Sequence, residues 1–300
     1  MKYFNNASKS FIYKMLRKKR IKYNGKRAVG SEIIKSGDTL QMYISDETID
    51  NFKYEKIINK AERHFDIVYE DNDIIIVSKP AGLLSHPEKS SDNNTLIDQI
   101  IYYLYEKGEY NQSSTFALCN RLDRNTSGIV IAGKNFKAVQ SLNEEIKSHK
   151  LDKFYITMVS GHIDKDGEII GYILKNSISN EVKVFDTPVL GSKKVVTKYK
   201  VIKATNKYSL LEVNLVTGKS HQIRASLKSK GYFIIGDRKY GDINVNKFFK
   251  EKYGLSNQFL HAYKLSWKKD SKYCYLNNNI YSPLPKPFNI ICKDIFKLSL

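Results

Sequence analysis

Apolar residues first fall into a clear pattern at Phe11, Ile12, Met15 and Leu16, which share one face at helical spacing, with Lys14, Arg17 and Lys18 on the other. Ser8 stands where an N-cap belongs, so the spacing predicts a helix from Ser8 to about Lys19. Ile21 to Lys26 follows, with Asn24-Gly25 as a tight-turn signal between two short strands. A second turn at Ser36-Gly37-Asp38 leads to a strand predicted from Thr39 to Ile44. Residues 51–64 are polar and show no strand pattern, so they are expected to be a linker between a small unit, 1–50, and a large one, 65–300.

In the large unit, Ile74 to Val77 is a buried-strand run, Thr95 to about Glu106 reads as a helix, and Gly128 to Gly133 reads as a strand. Asn135 caps a predicted helix to about His149, with Val139, Leu142 and Ile146 inward. Phe154–Val159 and Leu210–Val216 are predicted strands, and Ser220 is expected to cap a helix ending at Gly231. Many strands and few helices, without an internal repeat, give a mixed α+β fold.

Composition narrows the class. A chain of 300 residues with 41% hydrophobic and 12% aromatic content can form a packed core without disulfides or metals. Fifty Lys and Arg against 31 Asp and Glu leave a formal charge of +19, and residues 1–50 carry 11 of the basic residues against 5 acidic ones. Such a balance favours a polyanionic partner through counterion release. A Lys-, Asn- and Ile-rich composition also follows from an AT-rich genome, so charge alone leaves the partner open. Three scattered cysteines, no run of about 18 apolar residues and no apolar leader after Met1 give the expectation of a cytoplasmic protein. No His, Cys and carboxylate spacing marks a metal site.

The most informative stretch is Cys119-Asn120-Arg121-Leu122-Asp123-Arg124-Asn125-Thr126-Ser127-Gly128. An aspartate between two arginines is held ionised, and polar loops ahead of a strand often carry chemistry. A structural Arg–Asp pair closing a turn fits the same residues, and the two readings stay open on physical grounds alone.

Arg121-Leu122-Asp123, then Thr126-Ser127-Gly128, resembles the signature loop of the RluA family of pseudouridine synthases. Ile76 to Leu83 with His86-Pro87, Lys153-Phe154-Tyr155, Thr217 to Arg224, and Gly236 to Gly241 resemble further motifs of that family in the same order. Leu260-His261-Ala262 and Pro283-Leu284-Pro285 fit its C-terminal end, so the resemblance spans residues 65 to 290. The order helix, Lys-Lys-Arg-Ile, Asn-Gly-Lys-Arg and Gly-Asp in the first 45 residues resembles the small alpha-L RNA-binding domain shared with a ribosomal protein.

The resemblance implies a catalytic domain with a mixed, largely antiparallel sheet and flanking helices and loops, preceded by a small α+β RNA-binding domain. It implies an enzyme that isomerises uridine to pseudouridine in structured RNA, without cofactor or metal, as a monomer. The alpha-L-like segment points to 23S ribosomal RNA, with transfer RNA as the alternative substrate. Asp123 matches the essential aspartate, Tyr155 the tyrosine against the target base, and Arg224 the basic partner of the aspartate. Ile223 would wall the uracil pocket and Arg121 would fill the gap left by the flipped base. Lys14, Arg17, Lys18 and Lys26 are the expected RNA contacts of the small unit. Asn120 stands where the family usually has histidine. His221, His86 and His261 are read as structural, and Cys119 as a packed small residue. A non-catalytic RNA-binding or ribosome-assembly protein is the alternative from another class. A glycoside-cleaving enzyme lacks a second carboxylate near Asp123.

Overall fold

The computed structural model describes residues 7–52, 58–89, 91–110, 114–176, 181–276 and 279–299. The chain divides into two compact units, Met1–Ile58 and Asn59–Leu300.

In the first unit, the Ser8 hydroxyl accepts from Phe11 N–H and caps the helix Lys9–Arg17. Met15, Leu16, Ile21 and Ala28 form its small core, while Lys14, Arg17, Lys18 and Lys26 are exposed. Strands Lys26–Arg27, Ile21–Tyr23 and Leu40–Met42 form an antiparallel sheet in that order. Asn24 and Gly25 both take positive φ, 46° and 77°, as a two-residue hairpin turn requires. Asn24 and Tyr23 also bond the Asp38 carboxylate, tying this turn to the second one.

The expected linker needs correction. A helix, Asp46–Phe52, crosses its start, opened by Ser45, whose hydroxyl accepts from Thr48 N–H. Residues 59–64 are irregular in backbone yet packed into the second unit: Ala61 is buried and His64 N–H donates to the Gln99 side chain. Residues 53–57 of that stretch lie outside the described residues. The third strand is also shorter than expected, Leu40–Met42 rather than Thr39 to Ile44.

The second unit is built on a twelve-strand sheet among the described residues. Its main path runs Glu181–Phe185, Gly167–Asn176, Lys193–Ala204, Tyr208–Leu215, Leu151–Ser160, Leu260–Trp267, Ser127–Gly133, Ile74–Lys79 and Asp66–Glu70. Neighbours on this path are antiparallel except Leu260–Trp267 beside Ser127–Gly133, which is parallel. Two antiparallel halves therefore meet at that pair.

Alternation along the strands sends side chains to two faces. Ile75, Val77, Val130, Tyr155 and Val213 enter one core with the helices Leu96–Glu106 and Gln222–Ser229. Ile74, Ile76, Ile129 and Ile131 enter another core on the opposite face, with Leu142 of the helix Phe136–Lys147. Each such aliphatic side chain, fully buried, contributes about 1.5–3 kcal/mol relative to exposure. Asn135 caps its helix through Ala138 N–H, and the Asp98 carboxylate accepts from both the N–H and the hydroxyl of Thr95.

Gly128 stands where the halves join. Its φ is +113°, and a Cβ there would collide with the backbone of Ala262 on the parallel strand. Tyr155, Ala262 and Gly128 lie in register across three adjacent strands. The tyrosine is thereby placed in register with the strand that the Asp123 loop feeds, one strand away from it.

Candidate active site

The loop of Asp123 is pinned from several sides. The Ser85 hydroxyl donates to the Leu122 carbonyl at 2.9 Å and accepts from Leu122 N–H at 3.2 Å. Thr126 N–H donates to the Asp123 carbonyl, and the Gln258 amide donates to the Thr126 hydroxyl at 2.7 Å. Gly82 N–H and the Lys79 ammonium both donate to the Arg124 carbonyl. Lys79 is fully buried and also donates to the carbonyls of Pro80 and Leu83. Burial pulls its ammonium down to about 7, partly offset by the nearby charge of Asp123, while three carbonyl acceptors satisfy the protonated form.

Asn120 is absorbed by this scaffold. Its carbonyl oxygen accepts from Ile131 N–H at 2.8 Å and its amide donates to the Ile129 carbonyl at 3.2 Å. An amide bridging a strand's N–H and C=O is a structural use that needs no charge.

Arg224 enters from the helix Gln222–Ser229. It donates to Asp123 Oδ2 at 2.7 Å through Nη1, and to both oxygens of Asp237 through Nε and Nη2 at 2.6 and 2.9 Å. Asp237 is fully buried and accepts also from the N–H groups of Lys239 and Tyr240. Burial opposes the charge on both partners, yet the ion pair outweighs it. The Arg224 guanidinium is raised above its usual range and the Asp237 carboxyl is held below its own. The guanidinium also lies over the Tyr240 ring, 5.0 Å from its centroid. Oδ1 of Asp123 takes no hydrogen bond among the described residues, so one oxygen is anchored and the other is open.

Two cavities meet at Asp123. One, of about 530 Å³, has an apolar wall of Tyr155, Leu215, Ile223 and Leu260 and is lined as well by Lys147, Lys153, Lys194 and Lys219. Tyr155 and Ile223 are 5% and 4% exposed and belong to the core. Burial, and next the charge of Asp123, push the Tyr155 phenol above its usual range, so it stays protonated at neutral pH. The other cavity, of about 230 Å³, is lined by Arg121, Arg124, Lys175, Arg238 and Lys239. Arg121, exposed, borders both.

The expected residues Asp123, Tyr155, Arg224, Ile223 and Arg121 thus come together. Lys14, Arg17, Lys18 and Lys26 belong to the other compact unit. Sequence reasoning missed Asp237, Lys79 and Tyr240, whose roles arise only when segments distant in the chain meet. It also read His221 as structural, and the structure shows that its side chain caps no backbone group of the helix. The helix begins at Gln222 rather than under a Ser220 cap, and His221 occupies the N-cap position at φ 54° with no side-chain cap bond. The Gln222 side chain holds the turn instead, accepting from Lys219 N–H and the Thr217 hydroxyl and donating to the Val196 carbonyl. His221 faces the site: Nε2 is 4.0 Å from Asp123 Oδ2 and Nδ1 is 2.9 Å from Tyr240 Oη. His261, in contrast, is buried and bonded at both ring nitrogens, to Ser127 and to the Ser282 carbonyl. Burial raises the Cys119 thiol to about 11, which keeps it protonated.

Among the described residues, no group of three or more His, Cys, Asp and Glu side chains is placed to hold a metal ion, and no helix is long and apolar enough to cross a membrane.

The pattern of the family described as RNA pseudouridylate synthase matches residues 73–229. The chain is 30% identical over 241 residues to the ribosomal large subunit pseudouridine synthase D of Borreliella burgdorferi, covering 77% of this chain and 68% of that protein. It is 32% identical over 213 residues to the tRNA pseudouridine synthase C of Haemophilus ducreyi, covering 66% and 82%. Among solved structures, human RNA pseudouridylate synthase domain containing 4 shares the fold, with a TM-score of 0.61 at 21% identity over 78% of this chain and 94% of that one.

Proposed function

The chain belongs to the RNA pseudouridylate synthase family, and from that premise we propose that it isomerises uridines in the large-subunit ribosomal RNA with Asp123 as the reacting carboxylate. The observation that carries the site assignment is the single anchored oxygen of Asp123, held by Arg224 where two basic-lined cavities meet, the larger of which also has an apolar wall.

The chemistry fits this division. The C1′–N1 bond breaks, the uracil turns within its enclosure, and a C1′–C5 bond forms. C5 loses a proton and N1 gains one, so atoms and electrons balance without a redox or group-transfer cofactor. A base that detaches needs close walls, which Tyr155, Ile223, Leu215 and Leu260 supply. It must first leave its stack, at a cost of a few kcal/mol. Asp123 attacks C1′ or takes a proton through the oxygen that Arg224 leaves unbonded, while Arg224 holds the other oxygen in place. Tyr155, neutral, packs against the ring and offers a hydroxyl to it.

The smaller cavity receives the backbone on either side of the flipped nucleotide. Arg124 and Arg238 are each anchored to a main-chain carbonyl, Gly82 and Ser256, and are otherwise exposed. Such guanidiniums have N–H groups left for phosphate oxygens. Arg121, bordering both cavities, is positioned to occupy the gap that the base leaves. The enzyme works as a monomer in the cytoplasm, where its RNA is made.

Direct mapping tests this function. RNA from cells lacking the gene should have uridine at one or more large-subunit positions that are pseudouridine in the parent, and purified protein should restore them. Sites missing only from transfer RNA would move the substrate to that class, and no missing site would overturn the proposal.

The N-terminal unit, resembling an alpha-L domain, supplies further RNA contacts through exposed Lys14, Arg17, Lys18 and Lys26. Changing these four to alanine in the full chain should weaken RNA binding and reduce the slope of log affinity against log salt by about 3–4, close to one per lost phosphate contact. An unchanged slope would show that this face makes no contact with RNA.

A further inference from the structure

Building on the proposed role of Asp123, we infer that His221 is a positioning residue for that carboxylate, with its tautomer set by Tyr240. His221 keeps a left-handed backbone conformation that few residues with a side chain adopt. The turn holding it there is over-determined by Gln222, whose amide bonds Val196, Thr197, Thr217 and Lys219. The result of that conformation is a ring wedged between Tyr240 and Asp123, on the wall shared by both cavities. Strain kept in place by surrounding bonds at a reacting group marks a functional constraint.

The hydrogen bonds favour one tautomer. Val182 N–H donates to Tyr240 Oη at 2.8 Å and occupies one acceptor site, which favours the hydroxyl donating its proton to His221 Nδ1 at 2.9 Å. With Nδ1 accepting, a neutral imidazole carries its proton on Nε2. That N–H is 4.0 Å from Asp123 Oδ2, the same oxygen that Arg224 holds. Arg224 bonds Oδ2 and His221 stands toward the same oxygen, which leaves Oδ1 to react. A short inward shift as RNA fills the site would bring Nε2–H into bonding distance.

Charge enters next. The groups facing the ring are Asp123, Arg224, Lys239, Asp237 and Tyr240, and burial, the largest influence, keeps the imidazole below its usual 6.5. At neutral pH it is therefore an uncharged donor. Protonation at lower pH would set a second cation beside Asp123 and blunt the carboxylate's reactivity.

Three full-chain variants test this by tritium release from [5-³H]uridine-labelled total RNA of cells lacking the gene. His221→Ala should lower kcat about a hundredfold with KM changed less than about twofold, the signature of lost alignment. His221→Gln, which can present an N–H near the Nε2 position, should recover most of that loss. Tyr240→Phe should lower kcat about tenfold. The wild-type rate should fall on the acid side with an inflection below pH 6.5, which His221→Gln moves to lower pH. Wild-type kcat in His221→Ala would overturn the inference. So would glutamine no better than alanine, or a kcat loss matched by equal losses of RNA affinity and thermal stability. A wild-type protein that releases no tritium would instead count against the proposed function.

Discussion

Asp123→Asn is expected to release no detectable tritium from [5-³H]uridine RNA, a loss of at least about ten-thousand-fold, the scale seen when a reacting group is removed. The substitution keeps the side chain's shape and an oxygen for Arg224 Nη1, and it removes only the charge and the second carboxylate oxygen. Arg224 keeps both of its bonds to Asp237, so no buried cation loses its main partner. Stability should therefore fall by no more than about 1–2 kcal/mol, the scale of one hydrogen bond to a charged group. RNA binding, which is proposed to draw on the smaller cavity and the N-terminal unit, should stay within about threefold of wild type. Activity within tenfold of wild type would remove Asp123 from the chemistry. Loss of activity together with loss of fold would leave its role to be read from Asp123→Glu, which keeps the charge but moves it by one methylene. That variant should also be inactive yet folded, since the open oxygen would no longer stand at the cavity junction.

The core of the fold was legible because its central strands announce themselves. Ile74 to Val77 and Gly128 to Gly133 are buried on both faces, so they read as continuous apolar runs. Lys193–Ala204 did not read this way. Of its twelve residues only Val195 and Thr197 are buried, and lysines fill the solvent side, so the alternation is faint. The helix Ile243–Tyr253 buries only Phe249 among its residues and was missed for the same reason. The helix Asp46–Phe52 is short and acidic at its start, which resembles a polar connection in a linear reading.

For the site, a family resemblance brought Asp123, Tyr155 and Arg224 into view, because residues 32 and 101 apart have no local signal of contact. What the linear pattern could not supply was the third dimension of the charge network. Asp237 stood within a quoted motif, but nothing in its neighbours says that its carboxylate lies under Arg224. His221 was visible, but its place in the turn was not. A histidine beside a helix start usually serves the helix, and only the bonds of Gln222 show that the helix has its own anchor.

The Asp237 carboxylate should prove as important to the fold as Asp123 is proposed to be to the chemistry. It is fully buried and accepts from two guanidinium nitrogens and two backbone N–H groups. Asp237→Ala leaves those donors without an acceptor and Arg224 with only the partly exposed Asp123, and breaking a buried pair in this way costs about 3–5 kcal/mol. Urea unfolding at pH 7 should show that loss. The pH dependence follows from linkage. The folded-state pKa of Asp237 lies below its usual 3.8, so its stabilising contribution is complete above that value and is lost as pH falls through the folded pKa. Wild-type stability should therefore drop more steeply below about pH 4 than that of Asp237→Ala. A double change, Asp237→Leu with Arg224→Met, replaces the pair by apolar side chains, which is often neutral or stabilising. It should regain about 2 kcal/mol or more over Asp237→Ala and still show no tritium release, because Asp123 Oδ2 has lost its anchor. Recovery of both stability and activity would mean that the pair holds the fold alone, and that Arg224 does nothing for the carboxylate it touches.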